Sequence, residues 1–240
     1  RNICHKIKVM LLFQLKIKLK LMVDISQLKQ DADNGDVYAM YSYAEKLLLG
    51  EDVSENPALG IKYLKMAADK SHVEACEAYG DMCNVGDGIP VNKPEAAHYY
   101  KIAGDLGSEI GAFNYALMLD EGDGIPQDKN EAFKYFKKLA DDGNAECLYK
   151  IGYMIDYGEV KVSNPEEYFH YYQLSAEKGE PNSMFQLGLK YEDGECVKKD
   201  EIMAAKYFKA GADKGHASCA YHYAALCYKC KKLNANKNEA

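Results

Sequence analysis

Residues 216–230, HASCAYHYAALCYKC, gather His216, Cys219, His222, Cys227 and Cys230. Thiolates and imidazoles around a Cys-x-x-Cys spacing are the donor set of a tetrahedral zinc site. A thiol beside an imidazole is also the pair that nucleophilic catalysis needs, and His72, His98 and His170 supply further imidazoles. A second candidate is EGDGIPQDKNEAFKYF (121–136), whose glycines and acids suggest a cation or phosphate loop. Which of these does chemistry depends on the elements that position them.

An internal period decides most of it. Gly35, Ser71, Gly107, Gly143, Gly179 and Gly215 lie 36 residues apart without an insertion. Four residues after each comes a small side chain: Ala39, Ala75, Gly111, Cys147, Ser183, Cys219. Nine residues after each comes another: Ala44, Gly80, Ala116, Gly152, Gly188, Ala224. A large residue precedes the second small one (Tyr43, Tyr79, Tyr115, Ile151, Leu187, Tyr223). The pattern describes a helix whose small positions let a second helix approach while the large neighbour fills the groove.

Gly50, Gly86, Gly122, Gly158 and Gly194 stand where a helix ends in a left-handed residue. Asn56, Asn92, Asp128, Asn164 and Asp200 then fall in register as N-caps of a second helix. Pro57 and Pro165 follow their caps directly, and Glu95, Glu131 and Glu167 complete capping-box spacings. The second helix always carries a tyrosine (Tyr63, Tyr99, Tyr135, Tyr171, Tyr207), assigned to the core, and closes on Ala68, Gly104, Ala140, Ala176 and Ala212.

In this frame 121–136 is a helix stop, a turn and a capped start. It lacks the acid spacing of a calcium loop, and its counterparts GEDVSEN, GEVKVSN and GECVKKD drop the second glycine and the proline. Cys219 fills the small slot, and Cys227 the slot of Leu47, Cys83, Leu119, Ile155 and Tyr191. Packing therefore explains two of the five zinc candidates. No histidine has an evident catalytic partner. The expectation is no metal, no cofactor and no catalysis.

The unit resembles the Sel-1-like repeat, a relative of the tetratricopeptide repeat, most completely over 107–143. The resemblance covers about 35–228 and implies an all-α chain: a right-handed α/α superhelix, or solenoid, of 36-residue antiparallel helix pairs. The expected repeats are 35–70, 71–106, 107–142, 143–178 and 179–214, with a partial unit at 215–240. Repeat 4 departs most, with Tyr168 in place of a small residue and a bulky YFHYY run at 168–172.

The resemblance also implies a concave face that holds other proteins, lined by first-helix positions three, ten and thirteen after the opening glycine. Here these include Tyr38, Glu45, Asp81, Asn84, Leu117, Asp120, Tyr153, Asp156, Leu189 and Glu192. Asp120, Asp156 and Glu192 would form an acidic row, although the same charges are expected on any solvated helix face.

Charge narrows the partner. The chain of 240 residues has a net charge of −7, with +6 at residues 1–21 and +3 at 229–240. Taking those ends away leaves −16 for residues 22–228, a body that repels phosphate backbones. Basic proteins or peptides are the better partners, and neither nucleic acid nor a small-molecule substrate is expected. No apolar run is long enough to span a membrane, and the eight cysteines come with no secretory signal. Cytoplasmic residence with reduced thiols is expected.

At the front, residues 1–23 read as a leader. It is either an amphipathic arm or, the reading favoured by its lysines on every helix face, a disordered or non-native segment before Met22. Segment 24–34 is expected to hold a helix covering the first repeat. NKNEA at 236–240 repeats the register of DKNEA at 128–132, so a sixth second helix is expected to begin there.

The sequence thus describes an interaction scaffold or adaptor. The family also contains adaptors of endoplasmic-reticulum-linked quality control. The competing class is a cysteine-rich, β-lactam-binding hydrolase, whose regular cysteine pair per repeat is absent here.

Overall fold

The computed structural model describes residues 24–164 and 166–238. The leader assigned to 1–23 lies outside them. Among the described residues there are helices and no strands: α1 (24–33), α2 Val37–Leu49, α3 Pro57–Ala68, α4 Val73–Val85, α5 Lys93–Asp105, α6 Glu109–Glu121, α7 Lys129–Asp141, α8 Ala145–Asp156, α9 Glu167–Glu177, α10 Pro181–Asp193, α11 Glu201–Asp213 and α12 Ala217–Asn238. Consecutive helices pack as pairs, α2 on α3, α4 on α5, α8 on α9 and α10 on α11, the arrangement of an α-solenoid. The chain divides into two compact units, Arg1–Gln127 and Asp128–Ala240.

In the first unit Ala32 of α1 is fully buried, with Ile25 and Leu28 packed against the same core. That core runs through Met40, Tyr43, Leu64, Cys76, Cys83, Tyr99 and Tyr100. In the second unit Phe136, Ile151, Met154, Tyr172, Leu187 and Phe208 are fully or almost fully buried.

The periodic small residues have a steric cause. A methyl group on Gly80 would lie 2.9 Å from the Tyr100 ring, on Gly152 2.8 Å from Tyr172, and on Gly188 2.4 Å from Phe208. The second helix's aromatic residue thus seats directly on the first helix's backbone, which a side chain would prevent. The helix stops also follow the sequence. Gly50, Gly86, Gly122 and Gly194 are left-handed C-caps, and Gly158 has φ +68° one residue beyond its cap.

Among the second helices, Asn56, Asn92, Asp128 and Asp200 cap as expected, accepting from backbone N–H groups at 2.9–3.3 Å. Asn164 does not. Its side-chain oxygen is taken up by the N–H of Glu166, two residues on, so Glu166 stands at the cap in a helical conformation without a capping bond. The capping boxes also need correcting. The Asn92 N–H that Glu95 should accept is donated to the Cys83 carbonyl (2.8 Å), and Glu95 instead accepts from the Asn92 side-chain amide (2.8 Å). Glu131 pairs with Lys134 (2.7 Å).

The last helix differs too. Where the other units have a glycine stop, this one has Cys230, so no left-handed residue interrupts the chain and α12 continues to Asn238. Among the described residues no new helix starts near 236.

Candidate functional site

The first helices carry the candidate residues, and their caps lie one residue after the opening glycine. Asp36, Ser108 and Asn144 accept from the N–H three residues on, at 2.8–3.0 Å. His216 does the same through Nδ1 (3.1 Å to Cys219 N), and His72 does so at 3.4 Å. Two of the imidazoles that the sequence left without partners, His72 and His216, are therefore helix caps, and a cap on an unpaired N–H is worth about 1 kcal/mol.

In the first unit Tyr38 is 77% exposed, with its edge against the His72 ring (centroids 5.0 Å, 77°). Tyr41 stacks on the other part of that imidazole at 4.7 Å and 18°. Glu45 and Asp81 are exposed, and Asp81 accepts from the Tyr100 hydroxyl at 2.6 Å. Asn84 accepts from Lys93 Nζ (2.8 Å), which also binds Asp123 (2.7 Å). Leu117 is half-buried, and Asp120 is buried, its carbonyl held by the Gln127 amide at 2.8 Å. Ile110, missed by the sequence reading, is exposed in the same slot as Tyr38.

In the second unit Tyr153 is half-buried and stacks on exposed Tyr157 (4.2 Å, 25°), with the Tyr149 ring 6.0 Å away. Burial pushes the Tyr149 hydroxyl up to about 12, with Tyr153 and Tyr157 adding to it. Leu189 packs against Phe208, Cys219 and Leu226. Glu192 lies 3.2 Å from His222 Nδ1.

Asp156 is the chief departure. Its side chain is 7% exposed and binds Lys190 Nζ at 2.8 Å and the Tyr172 hydroxyl at 3.2 Å. Lys190 is 9% exposed, reaches Glu195 at 3.1 Å and sits 4.7 Å above the Tyr168 ring. Burial acts against its charge, but Asp156 and Glu195 outweigh it and raise the Lys190 pKa. Tyr168, the bulky departure of repeat 4, is buried and donates to Cys196 Sγ at 2.9 Å. Lys190 occupies the slot of Met82, Met118 and Met154, which in repeat 1 also holds a lysine, Lys46.

The acidic row is therefore not a set of unpaired carboxylates. Asp120 is buried, Asp156 serves an internal ion pair and Glu192 faces an imidazole.

Among the described residues no three His, Cys, Asp or Glu side chains are grouped to hold a metal ion. Cys76, Cys83, Cys147, Cys196, Cys219 and Cys227 are free, and burial pushes the Cys76 and Cys219 thiols up to about 11, away from the thiolate a nucleophile needs. Two tetrapeptides passed over in the sequence, Ser26-Gln-Leu-Lys29 and Ser175-Ala-Glu-Lys178, have the S-x-x-K spacing of a serine nucleophile with a lysine base, but the Ser175 hydroxyl is fully buried and donates to the Ala145 carbonyl at 2.7 Å. The Lys29 ammonium is paired with Asp33, and that hydrogen bond raises its pKa, so it holds its proton. No described helix is long and apolar enough to cross a membrane.

The Sel1 repeat family model matches residues 37–72, 73–108, 110–144, 145–180 and 181–216. Among solved structures, the chain is similar to c5321, a protective antigen present in uropathogenic Escherichia coli strains and displaying an SLR fold. The identity is 24% over 85% of this chain and 44% of that one, with a TM-score of 0.77. A Sel1 repeat protein from Oxalobacter formigenes is 20% identical over 81% of this chain and 86% of that one, with a TM-score of 0.62. These likenesses concern the fold, and the chain spans less than half the length of the first. No curated protein matches.

Proposed function

The chain belongs to the Sel1 repeat family, whose members are in general non-catalytic protein-interaction scaffolds, and from that membership we propose that it is an adaptor receiving a partner peptide or domain on its first helices. The face comprises Tyr38, Glu45, Asp81, Asn84, Leu117 and Asp120 in the first unit, and Tyr153, Asp156, Leu189 and Glu192 in the second. Its work is positioning, with no bond made or broken, and it takes place in the cytoplasm.

The observation that carries this reading is the aromatic surface the first helices leave in solvent, with Tyr38 and Tyr157 both exposed. Tyrosine offers a large contact area at low entropic cost and is enriched in protein interfaces. Asp120 and Asp156 support the face from below rather than meeting the partner.

A photocrosslinking amino acid placed at Tyr38 or Tyr157, and in parallel at Lys62 or Lys134 on the second helices, tests it in cells. A partner joined from the first-helix positions and not from the others is expected. Joining only from the second-helix positions would overturn the reading.

A further inference from the structure

The patch formed by α2 and the start of α4 has a chemistry of its own. Tyr38, Tyr41 and His72 form one continuous aromatic cluster, and Tyr38 presents most of its ring to water. Three carboxylates surround it. Glu45 is exposed, one helical turn on from Tyr41, and helps to raise the pKa of that hydroxyl. Glu74 Oε2 lies 3.3 Å from His72 Nδ1, and Glu77 accepts from the Ser108 hydroxyl. Among the described residues none of the three has a lysine or arginine at ion-pair distance, and the nearby Lys46 is committed to Asp52 at 2.8 Å. Burial pushes the Tyr41 hydroxyl up to about 12, with Glu45, Glu74 and Glu77 adding to it.

Electron-rich ring faces beside uncompensated carboxylates favour a cation. A guanidinium fits better than an ammonium, because it lies flat on a ring while its N–H fork takes a carboxylate. The open surface suits a side chain on an extended segment rather than an enclosed small molecule. We infer that the Tyr38–Tyr41–His72 cluster, rimmed by Glu45, Glu74 and Glu77, is the docking point for an arginine side chain of a basic peptide segment. The inference rests on the adaptor reading and assigns its partner contact to the first unit.

The test uses the full chain and a fluorescein-labelled glycine–serine peptide carrying spaced arginines, with lysine and glutamate versions beside it. Polarisation should show the arginine peptide binding most tightly and the glutamate peptide not at all. Tyr38→Ala and Glu45→Lys should each weaken binding about tenfold, while Tyr38→Phe retains it. Glu146→Lys, an exposed charge in the second unit, should change it little. Circular dichroism must show all variants equally helical.

Equal loss with Glu146→Lys would mean general attraction to an acidic body, and equal affinity of the lysine peptide would remove the guanidinium; either result overturns the inference. So would concentration-dependent dimerisation that Tyr38→Ala abolishes, since the patch would then belong to a second copy. If a cellular partner crosslinks at Tyr38 but no arginine peptide binds, the inference fails and the adaptor reading stands. If crosslinking arises only from the second helices while the arginine peptide binds as expected, the adaptor reading fails instead.

Discussion

The Tyr99 hydroxyl of α5 donates to Asp69 Oδ1, in the repeat before it, at 2.5 Å. Lys65 joins the pair, 2.6 Å from the same hydroxyl and 3.0 Å from the same carboxylate. The arrangement recurs one period earlier, where Lys29 and Tyr63 both bind Asp33. In the second unit Lys137 contacts Asp141 and the Tyr171 hydroxyl. Tyr63 and Tyr99 are therefore core rings with a polar tip that ties their repeats to the preceding one, whereas Tyr135, Tyr171 and Tyr207, also assigned to the core by the sequence, are only half-buried.

Removing that tip has a measurable cost. Tyr99→Phe keeps the ring but takes a hydrogen bond from a charged acceptor, so the expected loss is about 1–2 kcal/mol in chemical denaturation. The loss should fade in acid. Burial would raise the Asp69 pKa, but the bonds from Tyr99 and Lys65 outweigh it and hold it below its ordinary value of 3.8. A depressed carboxylate stabilises the fold above its unfolded pKa, and that stability disappears as pH falls through the lower folded value. The gap between Tyr99→Phe and the parent should thus be full at pH 7 and shrink below about pH 3.8. A gap unchanged at acid pH would show that Asp69 is not the partner that matters.

Ser71 has φ +63°, while its five counterparts are glycines with φ between +88° and +102°. An L side chain in the left-handed region costs about 1–2 kcal/mol, less the extra unfolded-state freedom of glycine. Ser71→Gly should raise stability by about 0.5–1 kcal/mol, and Gly107→Ala should lower it by about 1 kcal/mol. Thermal unfolding of the two variants checks both signs.

Asp156→Ala should do more harm than the loss of an ordinary surface acid. It leaves the Lys190 ammonium buried with only the exposed Glu195 as a carboxylate partner, and breaking a buried pair from one side costs about 3–5 kcal/mol. Asp156→Ala with Lys190→Met, which places there the side chain of repeats 2, 3 and 4, should recover most of that. A double variant no better than the single one would remove the pair from the account of stability.

The fold was legible because its signals are local or strictly periodic. Gly80, Gly152 and Gly188 are small for one steric reason, and Gly50, Gly86, Gly122 and Gly194 stop helices by one backbone conformation. The misses arose where a partner comes from elsewhere in the chain. Asp156 reads as a surface charge until Lys190, 34 residues on, is brought against it. Glu95 reads as a capping box until the Asn92 N–H is found on the Cys83 carbonyl. The period assigns a residue to a face of the helix, but the charge that face displays at Asp156 is set by a side chain from the next repeat.

Gly188 offers the sharpest test of why the repeat keeps its small slots. A methyl group there would stand 2.4 Å from Phe208 Cε1 and 2.6 Å from Cδ1, both on a fully buried ring. The ring cannot retreat without opening the core around Cys219 and Leu226, so Gly188→Ala should cost about 1–3 kcal/mol despite the higher helix propensity of alanine. Phe208→Leu alone should also destabilise, by leaving space where the ring was. Combined, the two changes relieve each other, because the smaller side chain makes room for the new methyl group. The double variant should be more stable than the sum of the single losses allows, by about 1 kcal/mol or more. Additive losses across that cycle would mean that the glycine is kept for its backbone and not for the ring it receives.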